Sequence, residues 1–119
     1  QPFPLCSDYK RIRVILQNLV SNALRYANLQ QEPPFVRVSV IVEAGQAAIE
    51  VEDNGVGIHA DYLPSIFQMF YRANHHKTGS GLGLYIVKET LEKLEGRIEV
   101  HSVVGKGSKF TVIIPNMDT

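Results

Sequence analysis

AIEVEDNGVGI, residues 48–58, frames the whole chain. Side chains alternate faces along a strand, so Ile49, Val51 and Asp53 share one face while Glu50 and Glu52 share the other. If Ile49 and Val51 point into a core, Asp53 does as well. A buried carboxylate without a partner costs several kcal/mol, so Asp53 must be protonated, salt-bridged, hydrogen-bonded internally or matched by a donor on a ligand. Gly55 and Gly57 follow at once, removing side chains and permitting tight backbone conformations, so that a flat group can approach the strand end. By itself the same stretch also reads as an ordinary structural turn.

Outward from that strand, FVRVSVIVEA (35–44) alternates Val36, Val38, Val40 and Val42 against Arg37, Ser39, Ile41 and Glu43. A turn around Gly45 joins the two, which predicts a hairpin of half-buried strands. Further upstream, Ile12, Ile15, Leu16, Leu19, Val20, Ala23 and Leu24 recur at helical spacing after Ser7 and Asp8, with Ser7 as cap. A helix over about 8–27 follows, then a loop at 28–34. Downstream, 54–81 is punctuated by glycine, proline, serine and paired histidines, with one short helical candidate around PSIFQMFYR.

A second helix is predicted over about 82–95, with Gly83, Val87, Thr90, Leu91 and Leu94 inward and Gly96 as a left-handed cap. RIEVHSV and SKFTVIIP then form a closing hairpin around GKG (105–107), Phe110, Val112 and Ile114 facing one way. Strands after one helix, and a helix before more strands, predict a two-layer α/β sandwich whose sheet is covered on one face by helices.

The bulk numbers agree with one core. The chain has 119 residues, 45% of them hydrophobic, enough to bury one sizeable interior. Twelve basic and twelve acidic side chains cancel, so no global field favours nucleic acid or an anionic membrane, and any anion site must be local. The lone Cys6 cannot form an internal disulfide, which fits a reducing compartment. No apolar run approaches the ~18 residues of a membrane span. The start at Gln1, without an initiator methionine, leads to the expectation of a single domain, 1–119, cut from a longer protein.

Besides the Asp53 strand end, two stretches carry candidate chemistry. On the first helix Asn18, Asn22 and Arg25 stand at i, i+4 and i+7, within an arc of roughly 60°. They read either as a solvated polar face or as a site for hydrated Mg²⁺ and phosphate oxygens, since amide oxygens suit that ion and a guanidinium forks onto phosphate. TGSGLGLYIVK (78–88) sets glycines ahead of a helix, where free N–H groups and the positive dipole end favour phosphate. A flexible glycine linker is the alternative, because neither the GxxxxGK[ST] pattern nor a strand leading into GxGxxG is present. His75, His76 and Lys77 beside it read as solvated loop residues, and no Cys or His cluster supports zinc.

Taken in order, these stretches resemble the ATP-binding catalytic domain of sensor histidine kinases, within the GHKL ATPase superfamily. QNLVSNALRYA looks like the N box, VEDNGVGI the first glycine box, IFQMFYR the F box and GSGLGLYIVK the second glycine box, while GKGSKFTVIIP resembles the closing strand. The match covers roughly residues 7–115.

The resemblance implies a mixed, mostly antiparallel sheet covered on one face by helices, with ATP and Mg²⁺ as cofactors. It implies that Asn22 ligates magnesium with help from Asn18, that Arg25 meets the phosphates, and that Tyr26 packs against the adenine. Asp53 would accept the adenine amine, with Gly55, Gly57 and Ile58 shaping the approach and Ser108 joining a water-mediated network. Gly79, Gly81, Leu82, Gly83 and Leu84 would form the lid, and Lys77 would reach the phosphates. The F box departs in carrying Gln68 where an acidic residue is frequent, followed by Met69; Phe67, Phe70 and Arg72 are kept.

Two reactions are open to this superfamily. Its hydrolases typically place a glutamate four residues before the magnesium asparagine, as a base that activates water. Here that position is Asn18, and a neutral amide cannot take the proton. Transfer to a histidine needs less, because a neutral imidazole nitrogen is already a nucleophile. The expected function is therefore γ-phosphoryl transfer to a histidine outside this chain, in two-component signalling, since His59, His75, His76 and His101 have no helical acceptor segment around them. A nucleotide-binding module without transfer and an ATP hydrolase are the alternatives. The implied partners are a helical dimerisation domain carrying the acceptor histidine, onto which PSIFQMFYRA would dock, and a response-regulator receiver domain. A cytoplasmic location is expected, with a parent protein that can be membrane-anchored.

Overall fold

The computed structural model describes residues 9–27, 33–68 and 82–115. Helix α1 (Tyr9–Arg25) is followed by strands β1 (Val36–Val42) and β2 (Gln46–Asp53), a 3₁₀ helix (Ala60–Ser65), helix α2 (Gly83–Lys93), and strands β3 (Arg97–Val103) and β4 (Gly107–Pro115). The strands form one sheet in the order β1-β2-β4-β3, and each neighbouring pair is antiparallel. Among the described strands, the mixed sheet implied by the resemblance has only antiparallel pairings.

The alternation of the sequence becomes cross-strand rows on the face beneath the helices. Val40, Ile49, Val112 and Ile98 form one row, and Val38, Val51, Phe110 and Val100 the next. Ile15, Leu19 and Ala23 of α1 and Val87 and Leu91 of α2 close over the central strands in a single core. The opposite face is charged, with Arg37–Glu52 at 3.2 Å and Lys109–Glu50 at 3.3 Å. Exposed pairs of this kind contribute little to stability. They keep that face in water.

Four expectations change. Leu24, read as part of the apolar stripe of α1, is 63% exposed, because at about 100° per residue it lies a quarter-turn or more round the helix from the face that Ile12, Ile15, Leu19 and Ala23 bury. Strand β1 is not half-buried: it is the sheet edge, so Val38 and Val40 stay open even on the core face and only Val42 is buried. Of the helical candidate at 64–72, the described part departs from expectation, since the 3₁₀ helix spans Ala60–Ser65 with Pro64 inside it and residues 66–68 are turn and bend, while 69–72 lie outside the described residues. The cap His59 fixes its start, its Nδ1 accepting from the Asp61 N–H at 3.1 Å.

The fourth change concerns the end of α2. The left-handed residue is Glu95, at φ 58, not Gly96. The Gly96 N–H donates to the Leu91 carbonyl at 2.8 Å and the Glu95 N–H to the Glu92 carbonyl at 3.2 Å, the bond pair of a Schellman motif. Glycine is needed at 96 for space instead: a Cβ there would stand 2.8 Å from the Ile113 carbonyl oxygen and 2.9 Å from Ile114 Cγ2. The expected cap Ser7 lies outside the described residues, as does Cys6.

Candidate functional site

The row beyond Val38, Val51, Phe110 and Val100 breaks the apolar pattern. It reads Val36, Asp53, Ser108, Ser102 across β1, β2, β4 and β3. The alternation that points Ile49 and Val51 inward points Asp53 inward, and Ser108 stands opposite it in register, so both are buried. One end of the sheet's core face is therefore polar.

The Asp53 carboxylate is satisfied in part by the chain itself. Its Oδ1 accepts the Gly55 N–H at 2.8 Å. Burial pushes its pKa up from the ordinary aspartate value, the backbone N–H groups of Gly55 and Ser108 oppose that rise, and neighbouring Glu52 adds to it. Burial wins. Among the described residues no buried side-chain nitrogen or oxygen lacks a hydrogen-bond partner.

The glycine loop after Asp53 is clamped on both sides. Asn54 ties it to the chain entering β1, its Oδ1 accepting from the Phe35 N–H at 2.8 Å and its Nδ2 donating to the Pro33 carbonyl at 2.9 Å. The Val56 N–H donates to the carbonyl of Tyr26, just past α1, at 3.1 Å, and the Val56 carbonyl accepts from the Gly105 N–H at 2.9 Å. Gly55 has no room for a side chain, since a Cβ would lie 2.5 Å from that same Tyr26 oxygen. Gly57 sits at φ 78 with the Val103 carbonyl in the place of a Cβ. Both glycines are thus already required by neighbouring backbone, before any flat group approaches.

The polar edge of α1 is half-buried at Asn18, Asn22 and Arg25, as is Tyr26. Asn18 is fixed in orientation: its Nδ2 donates to the Val14 carbonyl one turn back at 2.8 Å. Its Oδ1 lies 3.2 Å from where a Cβ on Gly83, the first residue of α2, would stand. An amide oxygen of α1 thus faces the N-terminal end of α2, whose cap position, Leu82, provides no side-chain cap bond. Leu84 is half-buried and packs on the core, as does Ile58.

The structure therefore brings Asp53, Gly55, Gly57, Ile58 and Ser108 together at the polar end of the sheet, with Tyr26 bonded to their loop. Asn18 meets Gly83 across the α1–α2 gap. Lys77, Gly79 and Gly81 lie outside the described residues, as do His75, His76, Met69, Phe70 and Arg72. Phe67 closes the local core, with Lys88 Nζ 5.8 Å from its ring centroid, and Gln68 is exposed. His59 caps the 3₁₀ helix and His101 is exposed on β3.

Sequence reasoning missed Ser102 and Asn54. Ser102 was accessible through parity, because it follows Ile98 and Val100 on the same face of β3. Its Oγ accepts from the Ile58 N–H at 2.6 Å, donates to the Gly107 carbonyl at 3.1 Å and lies 2.7 Å from Ser108 Oγ. Asn54 carries no such signal, since its partners are remote loop atoms.

Residues 7–118 match the family model described as histidine kinase-, DNA gyrase B- and HSP90-like ATPase, and the chain belongs to that family. It is 38% identical over 113 residues to the sensor histidine kinase AtsR of Burkholderia thailandensis, covering 92% of this chain and 19% of that protein. It is 37% identical over 118 residues to the aerobic respiration control sensor protein ArcB of Escherichia coli, covering 95% of this chain and 15% of ArcB. The chain thus spans about a fifth or less of these relatives. Full-length ShkA in complex with AMPPNP superposes with a TM-score of 0.85 at 28% identity, covering 100% of this chain and 24% of that one. The mycobacterial sensor histidine kinase MprB, at 24% identity and a TM-score of 0.79 over 97% of this chain and 76% of that one, shares the fold.

Proposed function

We propose that this chain is the catalytic ATP-binding unit of a sensor histidine kinase, transferring the γ-phosphoryl group of ATP to a histidine outside the chain. The observation that carries this reading is Asp53, buried at the polar end of the sheet and joined through its glycine loop to the end of α1. An adenine amine would donate to its carboxylate, with Ser108, Tyr26, Gly57 and Ile58 around the base and Asn18, Asn22 and Arg25 toward the phosphates. Gly83, with Leu82 and Leu84, would border the triphosphate, and Lys77, Gly79 and Gly81 would complete its cover. ShkA was crystallised with AMPPNP, an adenine nucleotide analogue, which supports an adenine nucleotide as the ligand.

Magnesium fits the donor set. With Nδ2 committed to Val14, Asn18 presents an amide oxygen at the α1–α2 gap, and Asn22 lies one turn further along the same edge. Hard oxygen donors of this kind suit Mg²⁺, which when bound neutralises triphosphate charge. The chain's own part is to position: the asparagines and Arg25 hold the triphosphate while an imidazole nitrogen attacks Pγ. The bond from Pγ to the bridging oxygen breaks, and ADP leaves with that electron pair. The carboxamide at position 18 disfavours hydrolysis, because it cannot accept a proton from water.

The partners on this reading are a helical domain bearing the acceptor histidine and a receiver domain downstream, in a cytoplasmic setting. No helix among the described residues is long and apolar enough to cross a membrane. The test is radiolabelled ATP with the chain and the acceptor domain of its parent protein. Acid-labile label on histidine is expected. ATP binding without label would favour a non-transferring nucleotide module, and steady phosphate release from the chain alone would favour a hydrolase.

A further inference from the structure

The Ser102 hydroxyl stands at a junction of three contacts that one arrangement of hydrogens satisfies together. A serine hydroxyl has one hydrogen to give and two lone pairs to receive. The Ile58 N–H, a fixed donor, takes one lone pair at 2.6 Å, and the Gly107 carbonyl, which can only accept, takes the hydrogen at 3.1 Å. With the Ser102 hydrogen on Gly107, the remaining contact, 2.7 Å to Ser108 Oγ, is satisfied by the hydrogen of Ser108. Ser108 is left with lone pairs for its other neighbours. In that arrangement its hydroxyl is an acceptor.

We propose that Ser102 is a positioning residue for base selection, fixing the Ser108 hydroxyl as an acceptor at the polar end of the sheet and so favouring a 6-amino purine over a 6-oxo purine. The inference rests on the placement of the base beside Asp53 and Ser108. An amine at the purine 6-position, or a water that it orients, donates to such an acceptor. A 6-oxo group would meet lone pairs with lone pairs, and the adjacent Asp53 carboxylate repeats that pattern. Ser102 also anchors the glycine loop through Ile58, so one hydroxyl sets both the wall of the pocket and the polarity of its floor.

The test is calorimetric titration of the chain with Mg-ATP and Mg-ITP, in which a 6-oxo group replaces the 6-amine and N1 carries a hydrogen, for Ser102→Ala, Ser102→Thr, Ser108→Ala and Asp53→Asn. Ser102→Ala is expected to lower the ATP/ITP affinity ratio about fivefold, the worth of one net hydrogen bond, and Ser102→Thr to restore it. Ser108→Ala should lower the ratio similarly with Ser102 in place, and adding Ser102→Ala to it should lower the ratio no further, because Ser102 acts through Ser108. An unchanged ratio in either alanine variant overturns the role of Ser102, as does a full second loss in the double variant. If Asp53→Asn leaves ATP affinity intact, the base placement itself fails, and this inference falls with it; loss in Asp53→Asn alone isolates the failure to Ser102.

Discussion

Asp53 and Ser108 face each other across β2 and β4 at 9% and 8% exposure, the two buried polar side chains of the described structure. Every other fully buried residue around them in the sheet is apolar or glycine, so this pair marks where the sheet stops being core. Replacing Asp53 with Asn keeps the shape and turns one acceptor oxygen into a donor. ATP affinity should fall about tenfold or more, the scale of a charge-assisted hydrogen bond, while the domain stays folded. Calorimetry and circular dichroism on Asp53→Asn check both halves.

The same carboxylate predicts a pH dependence. Burial raises its folded-state pKa above the ordinary value, so the folded state binds more protons than the unfolded state in the window between the two. Stability attributable to Asp53 is therefore greatest below the unfolded value and declines as pH rises through the folded one. Asp53→Asn should be as stable as the wild type or more so at neutral pH, and that advantage should shrink on acidification. An amine donor favours the ionised form, so ATP affinity should fall as pH drops through the folded-state pKa, and Asp53→Asn should flatten the dependence. Denaturation and titration series across that range measure the two slopes.

Period and parity made most of this legible in advance. The alternation of residues 49–53 and 108–114 assigned both faces of the central strands correctly, including the inward turn of Asp53. What alternation cannot give is a strand's position in its sheet: β1 alternates well yet lies at the edge, uncovered at Val38 and Val40. Glycine identities were readable but their causes were not, because the crowding atoms at Gly55, Gly57 and Gly96 belong to Tyr26, Val103 and Ile113, all distant in sequence. The inward face of Ser102 was readable from parity, but its partners were not, since they come from a loop and a different strand.

The approach of Asn18 to Gly83 gives a third prediction. Asn18 is held by Val14, so a methyl at 83 would press on its amide oxygen at 3.2 Å. Alanine also raises helix propensity at the first residue of α2. Gly83→Ala should therefore leave the melting temperature unchanged or slightly higher while weakening Mg-ATP binding by a few-fold. Free adenosine, which has no phosphates to meet this gap, should bind as before. Thermal melts beside titrations with the two ligands separate these effects.

Asn22 lies one turn beyond Asn18 on the same half-buried edge. Asn22→Asp preserves the shape and adds a negative charge toward the triphosphate, disturbing both phosphate placement and the balance of metal binding. Since small displacements at a reacting phosphate cost about a hundredfold, phosphotransfer should drop on that scale while adenosine binding persists. Transfer assays over a magnesium series measure this. Unchanged rate and unchanged magnesium dependence would remove Asn22 from the metal site.

A last prediction separates scaffold from site. Gly96 follows the left-handed Glu95 where the chain turns from α2 into β3, and its missing side chain lets that corner lie against β4. A methyl there would stand 2.8 Å from the Ile113 carbonyl oxygen, 2.9 Å from Ile114 Cγ2 and 3.0 Å from Leu91 Cδ2. Leu91 and Ile114 are 2% and 1% exposed, so neither side chain has open space to move into. Gly96→Ala should thus cost about 1–3 kcal/mol, the usual penalty for overpacking a filled interior. Because the strain lies among core contacts rather than around Asp53, chemical denaturation should show a lower midpoint with an unchanged slope. Folded protein should still bind ATP with wild-type affinity; a loss of affinity at unchanged stability would place this corner within the nucleotide site.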